Sequence, residues 1–273
     1  MRHAIMVLGS GNNAEVLQKV ITHLDDSDID FFIHWDLKYK APKLKARNSH
    51  IIFIPRMKVY WGTSTQVYAE QKLLKSVWKS KKTYDYVHLI SSSDIPLMTK
   101  EYFKTFFSKE LYLGYLPESE KDNQRLSFYY PIDHLNIRKH NGFIRLIKLL
   151  NIVFRVNRLK GRDISPMKGP NWFSIRSTFV PIILNYCNMD IFRHTFSSDE
   201  TYLQTILSDY RPQNLMEYND NEMAARYIDW QRGTPYVFTI KDAPELKNKI
   251  NTKYAFARKV KNPDLVDKIF SDM

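Results

Sequence analysis

Tyr86-Val87-His88-Leu89-Ile90-Ser91-Ser92-Ser93-Asp94 is the stretch that decides the fold. Five largely apolar residues read as a buried strand, and they stop abruptly on four polar ones. The same arrangement occurs twice upstream, where Ala4–Leu8 runs into the turn Gly9–Asn13 and Phe31–His34 runs on to Lys38. Ile51–Pro55 is a further apolar run. Helical spacing fills the gaps, at Val16, Val20 and Leu24, and again over Gln66–Trp78 through Val67, Leu73, Leu74 and Val77. Such β-α-β alternation predicts an α/β fold with a parallel, doubly wound sheet. Ligands of such sheets bind beyond the carboxyl ends of the strands, so Gly9–Asn13, His34–Lys38 and Ser91–Pro96 are the segments to inspect.

The chain of 273 residues has 8 glycines and 12 prolines and shows no internal repeat, so one compact unit over residues 1–273 is expected. Cys187 is the only cysteine, which leaves no internal disulfide and no cysteine-based zinc site. Ala4–Leu8 is too short for the apolar segment of a signal peptide, and no apolar stretch reaches the roughly 18 residues of a membrane span. A cytoplasmic protein is the expectation. The formal net charge of +12 favours an anionic partner without choosing among nucleic acid, acidic lipid and nucleotide phosphate.

One segment concentrates that charge. Between Arg138 and Arg162 there is no acid, while Lys139, Arg145, Lys148, Arg155, Arg158 and Lys160 are threaded through apolar residues. Helical spacing sets Arg145, Lys148 and Arg155 largely apart from Phe143, Leu146, Leu150, Val153 and Phe154. This reads as a helix packed on the core with its cations in solvent, the reading favoured by local sequence, or as a basic amphipathic helix at the inner face of a membrane.

Several residues carry chemistry in principle. The turn Gly9-Ser10-Gly11 lacks the spacing of a dinucleotide or phosphate loop, so it reads either as an ordinary βα turn or as a nucleotide contact at Gly9. Asp36 and Asp94 follow two different strands; each reads alone as a cap or turn residue, and both could converge on a nucleotide. Asp199-Glu200 follows Ser197-Ser198 and precedes Tyr202, Leu203, Ile206 and Leu207, a pattern in which Ser198 or Asp199 caps a helix and Glu200 sits in its first turn. A first-turn carboxylate facing a cleft is also a serviceable general base. Arg258-Lys259 sets two cations after Tyr254-Ala255-Phe256-Ala257, and such cations neutralise a departing phosphate.

Taken in order, these segments resemble the core-2/I-branching β-1,6-N-acetylglucosaminyltransferase family, which includes the peptide-O-xylosyltransferases. The matching pieces are Phe32-Ile33-His34-Trp35-Asp36-Leu37-Lys38, Val59-Tyr60-Trp61-Gly62-Thr63-Ser64, and Tyr84–Ser91 with Asp94-Ile95-Pro96-Leu97. Lys168-Gly169-Pro170-Asn171-Trp172-Phe173-Ser174-Ile175-Arg176, Ser198-Asp199-Glu200-Thr201, Arg226-Tyr227-Ile228-Asp229-Trp230 and Phe256-Ala257-Arg258-Lys259 complete the set. The likeness spans roughly residues 4–270.

The resemblance implies a GT-A-type fold with a mostly parallel central sheet flanked by helices. It divides the chain into a nucleotide-binding half, 1–116, and an acceptor-binding and catalytic half, 117–273. It implies inverting transfer from a UDP-sugar, most simply UDP-N-acetylglucosamine or UDP-xylose, without cofactor or divalent metal. Glu200 would be the base and Lys259 the phosphate ligand, with Arg258 or Arg232 assisting. Asp36 would sit by the uracil or ribose, Asp94 near the donor or acceptor sugar, and Trp172, Tyr227, Asp229 and Trp230 along the sugar site. The animal enzymes carry a membrane anchor and disulfides, and this chain shows neither. That departure points to a compact bacterial-type member acting on lipid-linked or surface-polysaccharide precursors. The alternatives are a basic nucleic-acid-binding protein, disfavoured because no RNP, KH or zinc-finger motif is present, and an inactive sugar-binding module.

Overall fold

A computed structural model describes residues 1–117, 119–137, 140–215 and 219–271. Its first part follows the predicted alternation: β1 (His3–Gly9), α1 (Glu15–His23), β2 (Ile29–Trp35), β3 (Ile51–Phe53), α2 (Ser64–Trp78) and β4 (Tyr86–Ser91). Then come β5 (Asp94–Pro96), α3 (Lys100–Phe106), β6 (Leu111–Leu113), α4 (Glu120–Ser127) and α5 (Asn141–Val153). The last part holds β7 (Phe173–Arg176), α6 (Phe179–Leu184), α7 (Tyr202–Ile206), α8 (Asp220–Met223), β8 (Arg226–Ile228), α9 (Ala243–Lys247), β9 (Phe256–Arg258) and α10 (Asp264–Phe270).

The central sheet has the order β3-β2-β1-β4-β7-β6. Strands β1 to β4 run parallel, while β7 lies antiparallel to both β4 and β6, so the sheet is mixed with one reversed strand. Both faces are covered, which explains why β1, β2 and β4 are apolar almost throughout instead of alternating. Alternation survives in which core each residue joins. Ile5, Val7, Phe31, Ile33 and Ile90 pack with α1, α3 and α10, whereas Ala4, Met6, Phe32, Val87 and Leu89 pack with α2, α6 and α7.

From β1 the chain moves outward to β2 on one side and later returns to place β4 on the other. The crevice of a doubly wound sheet opens at such a switch, beyond the carboxyl ends of β1 and β4. A second sheet, ordered β5-β9-β8, closes over it. From β8 the buried Arg226 guanidinium donates to the carbonyls of Phe173 at 2.6 Å, Ala224 at 2.8 Å and Leu89 at 3.2 Å, tying β8 to β4 and β7. Burial brings it down to about 9, with Asp94 opposing. A neighbouring chain of buried imidazoles runs from His3 to His88 at 3.0 Å and on to the Ser174 hydroxyl at 2.8 Å. Burial lowers His3 to about 4, so this relay is neutral at physiological pH.

The basic amphipathic segment forms α5, but the core-packed reading of it is corrected. Ile147 and Asn151 are its buried residues, while Phe143, Leu146, Leu150, Val153 and Phe154 are exposed. The reason is rotational. The Asn151 side chain accepts from the Tyr129 backbone N–H at 2.8 Å and donates to the Tyr129 carbonyl at 3.0 Å, which turns the adjacent stripe inward and the apolar arc out. Arg138 and Lys139, counted with this segment above, lie outside the described residues.

Candidate active site

The cation end is assembled by pairing of the second sheet. Register sets Asp94 opposite Arg258 and Ile228 opposite Arg258 on the other side. Asp94 is 1% exposed and accepts from the Ser91 N–H at 2.6 Å, the Ser91 hydroxyl at 2.9 Å and the Arg258 guanidinium at 2.7 Å. Arg258 also donates to the Ser91 hydroxyl, and its guanidinium lies 4.2 Å over the Trp172 ring. Arg258 is thereby locked at the carboxyl end of β4. Lys259 follows through a cis peptide bond, half-buried, with its backbone held by Tyr236 and Phe238. A direct contact of Asp94 with a sugar does not fit this burial; its carboxylate positions Arg258.

Asp36 is likewise turned onto the chain. Its Oδ1 accepts from the backbone N–H of Lys38 at 3.0 Å and Val59 at 3.3 Å, and its Oδ2 pairs with Lys38 Nζ at 3.3 Å. Gly9 lies against β2, where a Cβ would come within 2.1 Å of the Trp35 ring. Its carbonyl accepts from the Asp36 N–H at 2.8 Å, so glycine here permits the close approach that aligns the ends of β1 and β2.

The carboxylate end is a turn. Ser197 adopts a left-handed conformation at φ 50°, and Ser198–Glu200 forms a single tight 3-10 turn ahead of α7. The expected capped helix start is therefore corrected: α7 begins two residues after Glu200 and has no side-chain cap. The physical reason lies in where the two neighbouring acids point. Asp199 goes inward and accepts from Gln66 Nε2 at 2.9 Å, while Gln66 Oε1 accepts from the Gly62 N–H at 2.6 Å. The Gly62 carbonyl in turn accepts from the Ser197 N–H at 2.8 Å. Glu200 points outward, 38% exposed, with the Arg125 guanidinium of α4 at 2.8 Å.

Behind this turn sits a second buried acid, Glu70 of α2, which accepts from Asn171 at 2.7 Å. Burial raises Asp199 to about 7, helped by the adjacent Glu200 charge. Burial also raises Glu70 well above the usual range, with Asp199 adding to it. Two acids enclosed together cannot both ionise, so the pair carries less than its formal charge at neutral pH.

The loop 169–172 joins the two ends. The Gly169 N–H donates to the Glu200 carbonyl at 2.9 Å, and three residues later Trp172 lies under Arg258. Glycine is required at 169, because a Cβ would come within 2.0 Å of the Gly114 carbonyl. Three residues span roughly 10 Å at most, so this loop ties the backbone of the Glu200 turn to the residue that carries Arg258.

The remaining candidates lie on β8 and in the stretch that follows it. Arg232 is bound by Asp229, by Asp242 at 3.2 Å and by Glu245 at 2.7 Å, and its guanidinium stacks 4.3 Å from the Tyr236 ring. These bonds, first to Asp229 and then to Glu245, raise its pKa, while the Arg232 backbone N–H and then its guanidinium hold Asp229 low. Tyr227 donates to Glu245 at 2.6 Å, and burial with that bond raises its pKa. Trp230 is half exposed. The network thus draws Arg232, Asp229 and Tyr227 onto one another.

Sequence reasoning missed Arg125, Gln66 and Glu70, and left Asn171 without a role. Asn171 stands in a quoted motif, and that was the only available signal; the other three are bland helix residues by local sequence. Among the described residues no group of three or more His, Cys, Asp or Glu is gathered as for a metal ion. A groove of about 570 Å³ lies between α2 and α6 beside Lys72, Lys75 and Trp78, and none of the candidate residues lines it. Among the described residues no helix is long and apolar enough to cross a membrane.

Comparison with curated proteins found no match. The sequence model described as Core-2/I-Branching enzyme matches residues 4–251, which takes in Asp36, Asp94, Trp172, Glu200 and Arg232 and stops short of Arg258 and Lys259. That match covers most of the chain and fits the α/β architecture with its mixed central sheet, and the protein belongs to the Core-2/I-Branching enzyme family of GT-A-like glycosyltransferases.

Proposed function

We propose that the protein is an inverting glycosyltransferase that moves a sugar, N-acetylglucosamine or xylose, from its UDP conjugate to a hydroxyl of a lipid-linked or surface-polysaccharide precursor. The observation that carries the reading is the pairing of β5 with β9. It sets Arg258 and Lys259 at the carboxyl end of β4, where doubly wound sheets take nucleotides, with the Glu200 turn one short loop away.

In this scheme the Glu200 carboxylate accepts the proton of the acceptor hydroxyl. The freed oxygen attacks the anomeric carbon as the bond to the diphosphate oxygen breaks on the opposite face, through an oxocarbenium-like state. Lys259 and Arg258 receive the charge that develops on UDP, the task a divalent ion performs in other GT-A enzymes. Arg125 holds Glu200 aimed, and yields one carboxylate oxygen to the acceptor. Trp172, already the platform for Arg258, presents an apolar face for a sugar ring. Asp36 orders the loop beside the nucleoside, and Tyr227, Asp229 and Trp230 border the sugar site.

Arg258 is the better candidate than Arg232 to assist Lys259, since Arg232 is neutralised by three carboxylates. The test is UDP release from UDP-N-acetylglucosamine, UDP-xylose, UDP-galactose and UDP-glucose with EDTA present. Release from one preferred donor, undiminished by EDTA, is expected. Turnover that returns only on adding Mn²⁺ would overturn the metal-free scheme, and no release from any donor would overturn the donor class.

A further inference from the structure

We infer that α5 is a membrane-docking element, which seats the protein on an anionic lipid bilayer with the Glu200 side of the molecule nearby. At 100° per residue, Phe143, Leu146, Leu149, Leu150 and Val153 fill one continuous arc of about 120°. All five are exposed, and Phe154, 73% exposed, extends the apolar surface past the end of the helix. An isolated apolar residue on a surface needs no explanation, but a contiguous arc of this kind marks an interaction surface. The arc cannot roll inward, because Asn151 is fixed to both backbone groups of Tyr129.

Charge selects the occupant. Arg145, Lys148, Arg155 and Lys160 flank the arc, and no Asp or Glu occurs between Asp133 and Asp163. Arg158 and Arg162 have other work: the first caps backbone carbonyls including that of Arg193 at 2.7 Å, and the second pairs with Asp190 at 2.7 Å. A second copy of the same face would set cations against cations. Anionic headgroups match them, while the apolar arc enters the acyl boundary beneath. At 13 residues α5 lies along an interface and does not span it.

The helix is also mechanically joined to the candidate site. Ile147 packs with Tyr130, Ile132 and Ile137 in a small cluster of its own, and Phe196 packs against it. Ile137 abuts Gly62, whose carbonyl holds the Ser197 N–H ahead of Glu200, and Phe196 lies under the Arg125 guanidinium. Docking through α5 therefore presents the carboxylate end of the site to acceptors at the membrane. Only that use rests on the proposed activity; the docking itself rests on the helix.

Cosedimentation of the full chain with vesicles of phosphatidylcholine, alone or mixed with phosphatidylglycerol, tests the inference without donor or acceptor, so its outcome is separable from that of the transfer reaction. Binding to the mixed vesicles at low salt is expected, weakening as salt rises and absent on phosphatidylcholine alone. The exposed-residue variants Leu149→Ser/Val153→Ser/Phe154→Ser and Arg145→Glu/Lys148→Glu should each lower that binding at least about tenfold with unchanged circular dichroism. Absence of binding would overturn the inference, as would equal binding to phosphatidylcholine or binding that both variants retain. A dimer in light scattering that the triple serine variant dissolves would assign the arc to a second copy instead.

Discussion

The cation end of the candidate site is built from a sheet, whereas the carboxylate end is built from a turn. At the cation end, β5 and β9 pair residue for residue, and the Asp94–Arg258 bridge is one rung of an ordinary ladder. At the carboxylate end Glu200 belongs to a single 3-10 turn, held by backbone contacts to Gly62 and Gly169 and by the inward carboxyl of its neighbour. A ladder fixes charge that must stay still while it stabilises a leaving group. A turn leaves the Glu200 carboxylate exposed on one side, where the proposed scheme has it exchange Arg125 for an acceptor hydroxyl.

The sharpest way to break this comparison is at Glu200. Glu200→Gln is expected to lower kcat by about 10²–10⁴ with the donor KM little changed, because the amide keeps its size and cannot take the proton. A variant with wild-type turnover would place the base elsewhere. Lys259→Ala should follow, with a loss of about 10²–10³ in kcat measured on the preferred donor. A change confined to KM would mean that the lysine binds ground state and transition state alike.

Asp199 tests the inward half of the turn by stability. Its folded pKa of about 7 lies above that of an unfolded aspartate, so its contribution is fully present in acid and is lost as pH rises towards 7. Asp199→Asn keeps an acceptor for Gln66 and removes the ionisation. Relative to wild type it should therefore gain on the order of 4 kcal/mol between pH 4 and pH 8 in denaturant titrations. Parallel pH profiles for the two proteins would contradict the buried-acid assignment. The smallest effect is expected at Arg232: Arg232→Ala should change kcat by less than about threefold, since exposed ion pairs carry little energy. A loss beyond about tenfold with an intact fold would move the phosphate role from Arg258 to Arg232.

Much of the first half of the molecule was legible in advance. Apolar runs ending on polar residues marked β1, β2 and β4, and the polar ends of β1 and β4 do lie at the switch point of the sheet. The ordered motifs marked the family. Burial was not legible. Asp199 and Glu200 are adjacent acids in one turn, and nothing local says which faces inward; Gln66 and Glu70, more than a hundred residues away, decide it. Asp94 reads as a turn residue but follows the turn as the first residue of β5, and its carboxylate is the anchor of Arg258 from the far end of the chain.

The amino-acid sequence by itself determined the alternating α/β plan, the family and the set of residues worth suspecting, because periodicity and motif order are properties of neighbours along the chain. Tertiary structure alone decided that Arg258 is anchored by Asp94 at the end of β4, which of two adjacent acids is exposed, and that the apolar arc of α5 faces outward. Each of those outcomes depends on a partner distant in sequence, Asp94 for Arg258, Gln66 for Asp199 and Tyr129 for Asn151, and a hydrogen bond between distant segments leaves no periodic trace in either of them.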